Sequence, residues 1–162
     1  MIYLGIDPGL DGGVGVIAND AKLVFGVPTL IRKKAKGTKR EYLVGQMANI
    51  LRDTLRSGSG VLAYLEDVHA FPMQGTVSMF NMGEGKGIWL GILSALEIPY
   101  ELISPQSWKK AMGLNKDKEA SRLLALRLFP ELTDALKLKK DEGKAEAILI
   151  AEYARRKNGT NS

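Results

Sequence analysis

The sequence predicts an α/β protein built on a mixed five-stranded sheet, three antiparallel strands followed by parallel ones, with helices flanking it. Three observations lead there. Two apolar runs near the N-terminus are separated only by turn residues, Pro8-Gly9 and Asp11-Gly12-Gly13, as in a hairpin. Further along, short apolar runs alternate with stretches of helical periodicity, the pattern of parallel strands joined by helices. The chain has 162 residues, 45% hydrophobic and 25% charged, the proportions of one ordinary folded domain, expected over residues 1–157 with a frayed tail over 158–162.

Taken in order, residues 2–7 form a buried strand that Pro8-Gly9 ends, and residues 13–18 resume as its antiparallel partner. Asn19-Asp20 is a second tight turn into a third strand over 23–27, which Pro28 stops. Residues 31–40 carry Arg32, Lys33, Lys34, Lys36, Lys39 and Arg40 with little apolar content, and read as an exposed loop leading to a helix over 41–56. Leu43, Met47, Ile50 and Leu51 supply that helix's apolar stripe. Ser57-Gly58-Ser59-Gly60 is a break, and residues 61–66 are a fourth strand closed by a carboxylate. After an irregular stretch over 69–75, a helix starts at Thr76, or at Gly85 after an interruption, and runs to Leu96. Gly83, Gly87, Gly91 and Ala95 recur every fourth position on it, so one face admits another backbone closely, from the sheet or from another chain. Residues 99–103 give a fifth strand, and Ser104-Pro105 caps and opens a helix to about Met112. Amphipathic helices over 116–129 and 142–156 complete the chain.

Composition excludes several chemistries. With no cysteine there is no disulfide framework, thiolate zinc site or cysteine nucleophile, and a single histidine excludes a multi-histidine metal centre. Lysine and arginine total 23 against 18 acids, a formal charge of +5 that leans toward polyanionic partners. The first apolar run is too short for a signal peptide, and no stretch approaches the roughly 18 residues needed to span a bilayer. A cytoplasmic protein without a membrane partner is expected.

Where the acids fall is more telling. Asp7 ends the first strand and Glu66 the fourth, so if these are parallel neighbours both carboxylates face one crevice. Glu142 and Glu146 are four apart on one helical face, with Asp141 at the cap of the same helix. Each acid alone reads as a solvated surface charge, and Asp-Pro-Gly alone as a common turn. Together, three or four carboxylates without histidine or cysteine partners are the donor set that Mg²⁺ and Mn²⁺ prefer. Two such ions about 4 Å apart serve in-line displacement at a phosphodiester.

These residues resemble the RuvC family of Holliday junction resolvases, in particular its short bacteriophage-type members, within the ribonuclease H-like superfamily. The resemblance spans nearly the whole chain. It rests on Gly5-Ile6-Asp7-Pro8-Gly9, Glu66-Asp67-Val68, the glycine-spaced helix around Gly83-Glu84-Gly85-Lys86-Gly87, Pro105, the basic loop over 113–118, and Glu146-Ala147. It implies that Asp7, Glu66 and Glu146 bind metal, Mg²⁺ or Mn²⁺ with two ions per active site. The family's acid or histidine three positions before the last acid falls on Gly143 here, so that role passes to Glu142 or Asp141. Glu142 is favoured by its four-residue spacing from Glu146. The resemblance further implies DNA contacts through His69, Phe71, Lys109, Lys110, Lys116 and Lys118, with Phe71 as a wedge stacked into the opened crossover. It also implies a homodimer joined through Gly87, Gly91 and Ala95.

The expected function is a metal-dependent endonuclease that resolves four-way and other branched DNA by paired nicks, leaving 5′-phosphate and 3′-hydroxyl ends, in a bacterial or phage-infected cell. Asp7, Glu66, Glu142 and Glu146 would be its catalytic set. Three alternatives stand beside it. One is an RNA-processing nuclease of the same superfamily. Another is a junction-binding protein that does not cut. The third is an actin-like or sugar-kinase-like nucleotide binder, which the chain's length opposes.

Overall fold

The structure is a computed structural model that describes residues 1–19, 21–56, 59–115 and 117–159. Its centre is a five-stranded sheet in the order β3-β2-β1-β6-β7. Strands β1 (Ile2–Asp7), β2 (Gly13–Ile17) and β3 (Lys22–Gly26) form the expected antiparallel meander. Strand β6 (Val61–Glu66) then lies parallel to β1, and β7 (Tyr100–Ile103) parallel to β6. The fold class is the expected one.

Side-chain alternation divides this sheet into two faces. Ile2, Leu4 and Ile6 of β1, Val14 and Val16 of β2, and Val61, Ala63 and Leu65 of β6 point to one side. There they meet Met47 and Leu51 of α1 (Val44–Leu55) and Trp89 and Leu93 of α2 (Thr76–Ala95). The other face carries Ile17 and Tyr64 against Ile148, Leu149 and Ala151 of α6 (Glu142–Gly159). Trp108 of α3 (Pro105–Ala111) and Ala125 of α4 (Lys118–Leu128) close the same layer. Between α4 and α6 the chain makes a 3₁₀ turn (Pro130–Leu132), the short helix α5 (Thr133–Leu136) and a second 3₁₀ turn (Lys139–Asp141).

Helix α6 sits on the sheet at backbone distance. A Cβ built on Gly5 would stand 2.1 Å from the Ala147 carbonyl oxygen, and one on Gly15 2.4 Å from Ile148 Cα. No side chain fits between these strands and the helix, so glycine at both positions lets β1 and β2 press directly on α6. Capping follows the sequence elsewhere: the Ser104 hydroxyl accepts from Ser107 N–H at 3.2 Å, with Pro105 next to it.

Three expectations need correction. Residues 31–40 are not a loop: β4 (Thr29–Lys33) and β5 (Thr38–Tyr42) pair antiparallel as a separate two-stranded sheet. The cations that suggested a solvated loop sit on opposed strands, where Arg32 pairs with Glu41 at 2.9 Å. In consequence α1 begins at Val44 and not at residue 41. Helix α2 is continuous from Thr76, the first of the two starts expected, and its glycines do not break it. The last helix continues through Gly159, beyond the expected end at 156. Asp20, Ser57, Gly58, Lys116 and residues 160–162 lie outside the described residues. No described helix is long and apolar enough to cross a membrane.

Candidate active site

Strand register brings the first two acids together. Ile6 lies opposite Leu65 in the parallel pair, so the next residues, Asp7 and Glu66, end adjacent strands side by side. Both occupy the face opposite to Ile6 and Leu65, which is the face that α6 covers. The glycine-mediated approach of α6 then sets Glu146, one residue before Ala147, beside them. Asp7, Glu142 and Glu146 line one cavity of about 910 Å³ with Gly9, Asn81 and Lys140.

The electrostatics are those of negative charges gathered in a confined space. Burial chiefly, then the charges of Glu66 and Glu146, push the Asp7 carboxyl up to about 7 from an ordinary 3.8, against the Gly9 N–H and Lys109. Glu66 is buried and also raised, first by burial and then by Glu146. Opposing this, the indole N–H of Trp108 donates to Glu66 Oε1 at 2.8 Å and fixes the carboxylate's orientation. Glu146 Oε1 accepts from Lys109 Nζ at 2.6 Å and from the Ser121 hydroxyl at 3.1 Å.

The acids at the start of α6 divide their roles. Asp141 is turned to structural use, since its Oδ2 accepts from Leu138 N–H at 2.9 Å and its Oδ1 pairs with Lys144 at 2.8 Å. Glu142 is the one that lines the cavity. Gly143 has a steric explanation: a Cβ there would lie 1.9 Å from the Asp11 carbonyl oxygen, so the β1–β2 turn occupies the space a side chain would need.

The remaining candidates are scattered around this centre. His69 Nε2 is 3.1 Å from Asp67 Oδ2, and Asp67 also holds Lys86 of α2. Phe71 is 65% exposed and points to solvent, as a stacking residue must. Lys109 is committed to Glu146 and lies inside the site, not on its rim. Lys110 is exposed on α3, Lys118 opens α4, and Lys116 is outside the described residues. Gly87, Gly91 and Ala95 are exposed on α2, and a Cβ added at Gly83, Gly87 or Gly91 would meet nothing within 4 Å. Packing of that glycine face against the sheet is thereby excluded; the glycine that does pack inward is Gly85, against the Pro8 carbonyl and Tyr42.

Trp108, Ser121 and the Tyr42–Asn81 contact were not foreseen from sequence. A tryptophan in the first turns of a capped helix is a visible signal for Trp108; Ser121 carries none.

As they stand, no three Asp, Glu or His side chains among the described residues are close enough to share one ion. The donor set nevertheless suits a hard cation. It is made of carboxylate oxygens, and the raised carboxyls of Asp7 and Glu66 mark a place short of positive charge, with the Lys109 ammonium the nearby counter-charge.

Comparison with known proteins gives the same architecture. Two solved structures of Thermus thermophilus RuvC, one in complex with a Holliday junction substrate, align with TM-scores of 0.56 and 0.52 at 19% identity. They cover 98% and 97% of this chain, and 97% of their own chains. The fold is therefore the ribonuclease H-like fold of RuvC. Over 93 residues, 56% of this chain, the sequence is 34% identical to the chloroplastic Holliday junction resolvase MOC1 of Chlamydomonas reinhardtii. That match spans about a tenth of the relative's length. No family model matches the chain.

Proposed function

We propose that this chain is a metal-dependent, structure-selective endonuclease that resolves Holliday junctions and other branched DNA by paired nicks, leaving 5′-phosphate and 3′-hydroxyl ends. One observation carries the reading: Asp7 and Glu66 end adjacent parallel strands beside Glu146, three acids gathered around the single ammonium of Lys109. Its likeness to a named resolvase and to the RuvC fold supports the choice of substrate.

Asp7, Glu66, Glu142 and Glu146 would hold Mg²⁺ or Mn²⁺, two ions per site, and when bound these would activate the attacking water and stabilise the leaving oxygen. The protein's own groups prepare that arrangement. Trp108 keeps one Glu66 oxygen engaged and leaves the other available. Ser121 holds Glu146 from behind while Lys109 neutralises it. The Lys109 ammonium, held at the centre by Glu146, is the cation placed to offset negative charge on a bound phosphate. Exposed Phe71 supplies a ring for an unstacked base, and Lys110 a phosphate contact.

Two nicks need two sites, and the open Gly83, Gly87, Gly91 and Ala95 face of α2 suits a second copy of this helix. The compartment proposed is the cytoplasm of a bacterial or phage-infected cell.

The commitment of Glu146 to Lys109 also favours a second reading, a junction-binding protein that no longer cuts. One experiment separates the two: a labelled four-way junction and a matched linear duplex, each with Mg²⁺, Mn²⁺ or EDTA, using wild type and Asp7→Asn. Paired, metal-dependent nicks confined to the junction and lost in the variant are expected, with junction binding by the variant kept or strengthened. Tight binding without cutting in either metal would establish the second reading. Indifference to branching would redirect the search to RNA.

A further inference from the structure

The β4–β5 hairpin lies outside the main sheet, yet its second strand grips the turn that carries Asp7. The Arg40 guanidinium is engaged within the chain. Its Nε donates to Thr29 Oγ1 at 2.9 Å, Nη2 donates to the Leu10 carbonyl at 2.7 Å, and Nη1 pairs with the Asp11 carboxylate. Two of these three contacts land on the β1–β2 turn, and a planar fork bonded to both a carbonyl and a carboxylate sets that turn's orientation as well as its distance. Two residues later the Tyr42 hydroxyl donates to the Asn81 carbonyl at 2.9 Å and lies 3.4 Å from that of Pro8. The start of the turn is thereby tied to α2.

That turn sets two parts of the site. The Gly9 N–H donates to Asp7 Oδ1 at 3.2 Å and so fixes which way the carboxylate faces. The Asp11 carbonyl rests against Gly143, immediately after Glu142. A shift of the turn by an ångström would move the Asp7 carboxylate and the first turn of α6 together. The Asp11 end of the pair is highly exposed, so the pair adds little to folding stability, and what its loss would change is geometry.

We propose that Arg40 is a positioning residue, a clamp from the hairpin onto the β1–β2 turn that keeps Asp7 and Glu142 facing the cavity they share. This rests on the nuclease reading. It sets Arg40, engaged within the chain, apart from the exposed cations beside it, Lys33, Lys34 and Lys36.

The test compares wild type with R40Q, R40K and D11N. Two quantities are measured: the Mn²⁺ concentration that gives half the metal-induced rise in Tm, and kcat and KM for junction cleavage. R40Q removes a positive charge, D11N a negative one, and R40K only the fork. A clamp predicts that all three raise the Mn²⁺ midpoint several-fold and lower kcat about tenfold, although their charge changes differ in sign. A simple phosphate contact predicts instead that R40Q raises KM, D11N lowers it, R40K resembles wild type, and neither kcat nor the Mn²⁺ midpoint moves; that result would overturn the proposal. If wild type itself neither cuts nor gains stability from Mn²⁺, the nuclease reading fails, and the clamp fails with it.

Discussion

At Asp7 the fold holds a carboxyl at about 7 that titrates near 3.8 in its ordinary state, through burial first and then the charges of Glu66 and Glu146. The native state therefore binds this proton more tightly than the unfolded chain does. Its stabilising contribution is complete below about pH 4 and is lost as pH rises through 7. In EDTA, calorimetry should show Tm falling between pH 5 and 8. Asp7→Asn should flatten that slope and raise Tm at pH 8 by about 2–4 °C, the shift that roughly 1 kcal/mol produces in a chain of this size. Adding Mn²⁺ at pH 8 should stabilise wild type and leave the variant unmoved; an unchanged slope in the variant would remove Asp7 from its place in the electrostatics. Much of this was readable in the sequence, because strand period alone places Asp7 and Glu66 on a common face once the strands are parallel. What holds these acids was hidden. Trp108 reaches Glu66 across 42 positions and Ser121 reaches Glu146 across 25, and no local pattern encodes such contacts.

Among the elements, α6 does two jobs with one set of contacts. Its seat on Gly5 and Gly15 buries the sheet, and the same seat brings Glu146 to Asp7. Gly15→Val should therefore cost stability and activity together. Overpacking typically costs about 1–3 kcal/mol, and here the obstacle is helix backbone 2.4 Å from the added Cβ, so the upper part of that range or more is expected in urea unfolding. A variant that kept wild-type stability and cutting would show that the close seat is dispensable. The hairpin shows why sequence patterning fell short. Thr29–Lys33 and Thr38–Tyr42 bury little, so their alternation lacks the apolar signal of a strand, and pairing rests on cross-strand contacts such as Arg32 with Glu41 and Arg40 with Thr29. Glycine in α2 misled in another way. Gly85 is demanded by the Pro8 carbonyl and Tyr42 pressed against it, a reason that local propensity cannot register.

For the molecule as a whole, the open question is what covers the outer face of α2. Gly83, Gly87 and Gly91 leave a groove that no part of this chain fills among the described residues. Helices meet at such grooves because backbones can approach closely there. If the proposed dimer forms through this face, Gly87→Leu with Gly91→Leu should leave the fold intact, since open space receives both side chains, yet shift sedimentation from dimer to monomer and abolish the pairing of nicks while single nicking persists. A wild-type protein that sediments as a monomer at micromolar concentration would overturn the dimer, and a variant that still dimerises would move the interface elsewhere.

Because α6 follows every strand of the sheet along the chain, synthesis delivers Asp7 and Glu66 long before Glu142 and Glu146. Strands β1 and β2 also lack their covering helix until that moment. On the nuclease reading, a polypeptide cut short before α6 by stalled translation ends without half of its proposed metal-binding carboxylates, and so has no working site with which to damage the genome of the cell that made it. The long-range seat of α6 acts in this way as a proofreading step on synthesis: only a chain made through Glu146 is armed.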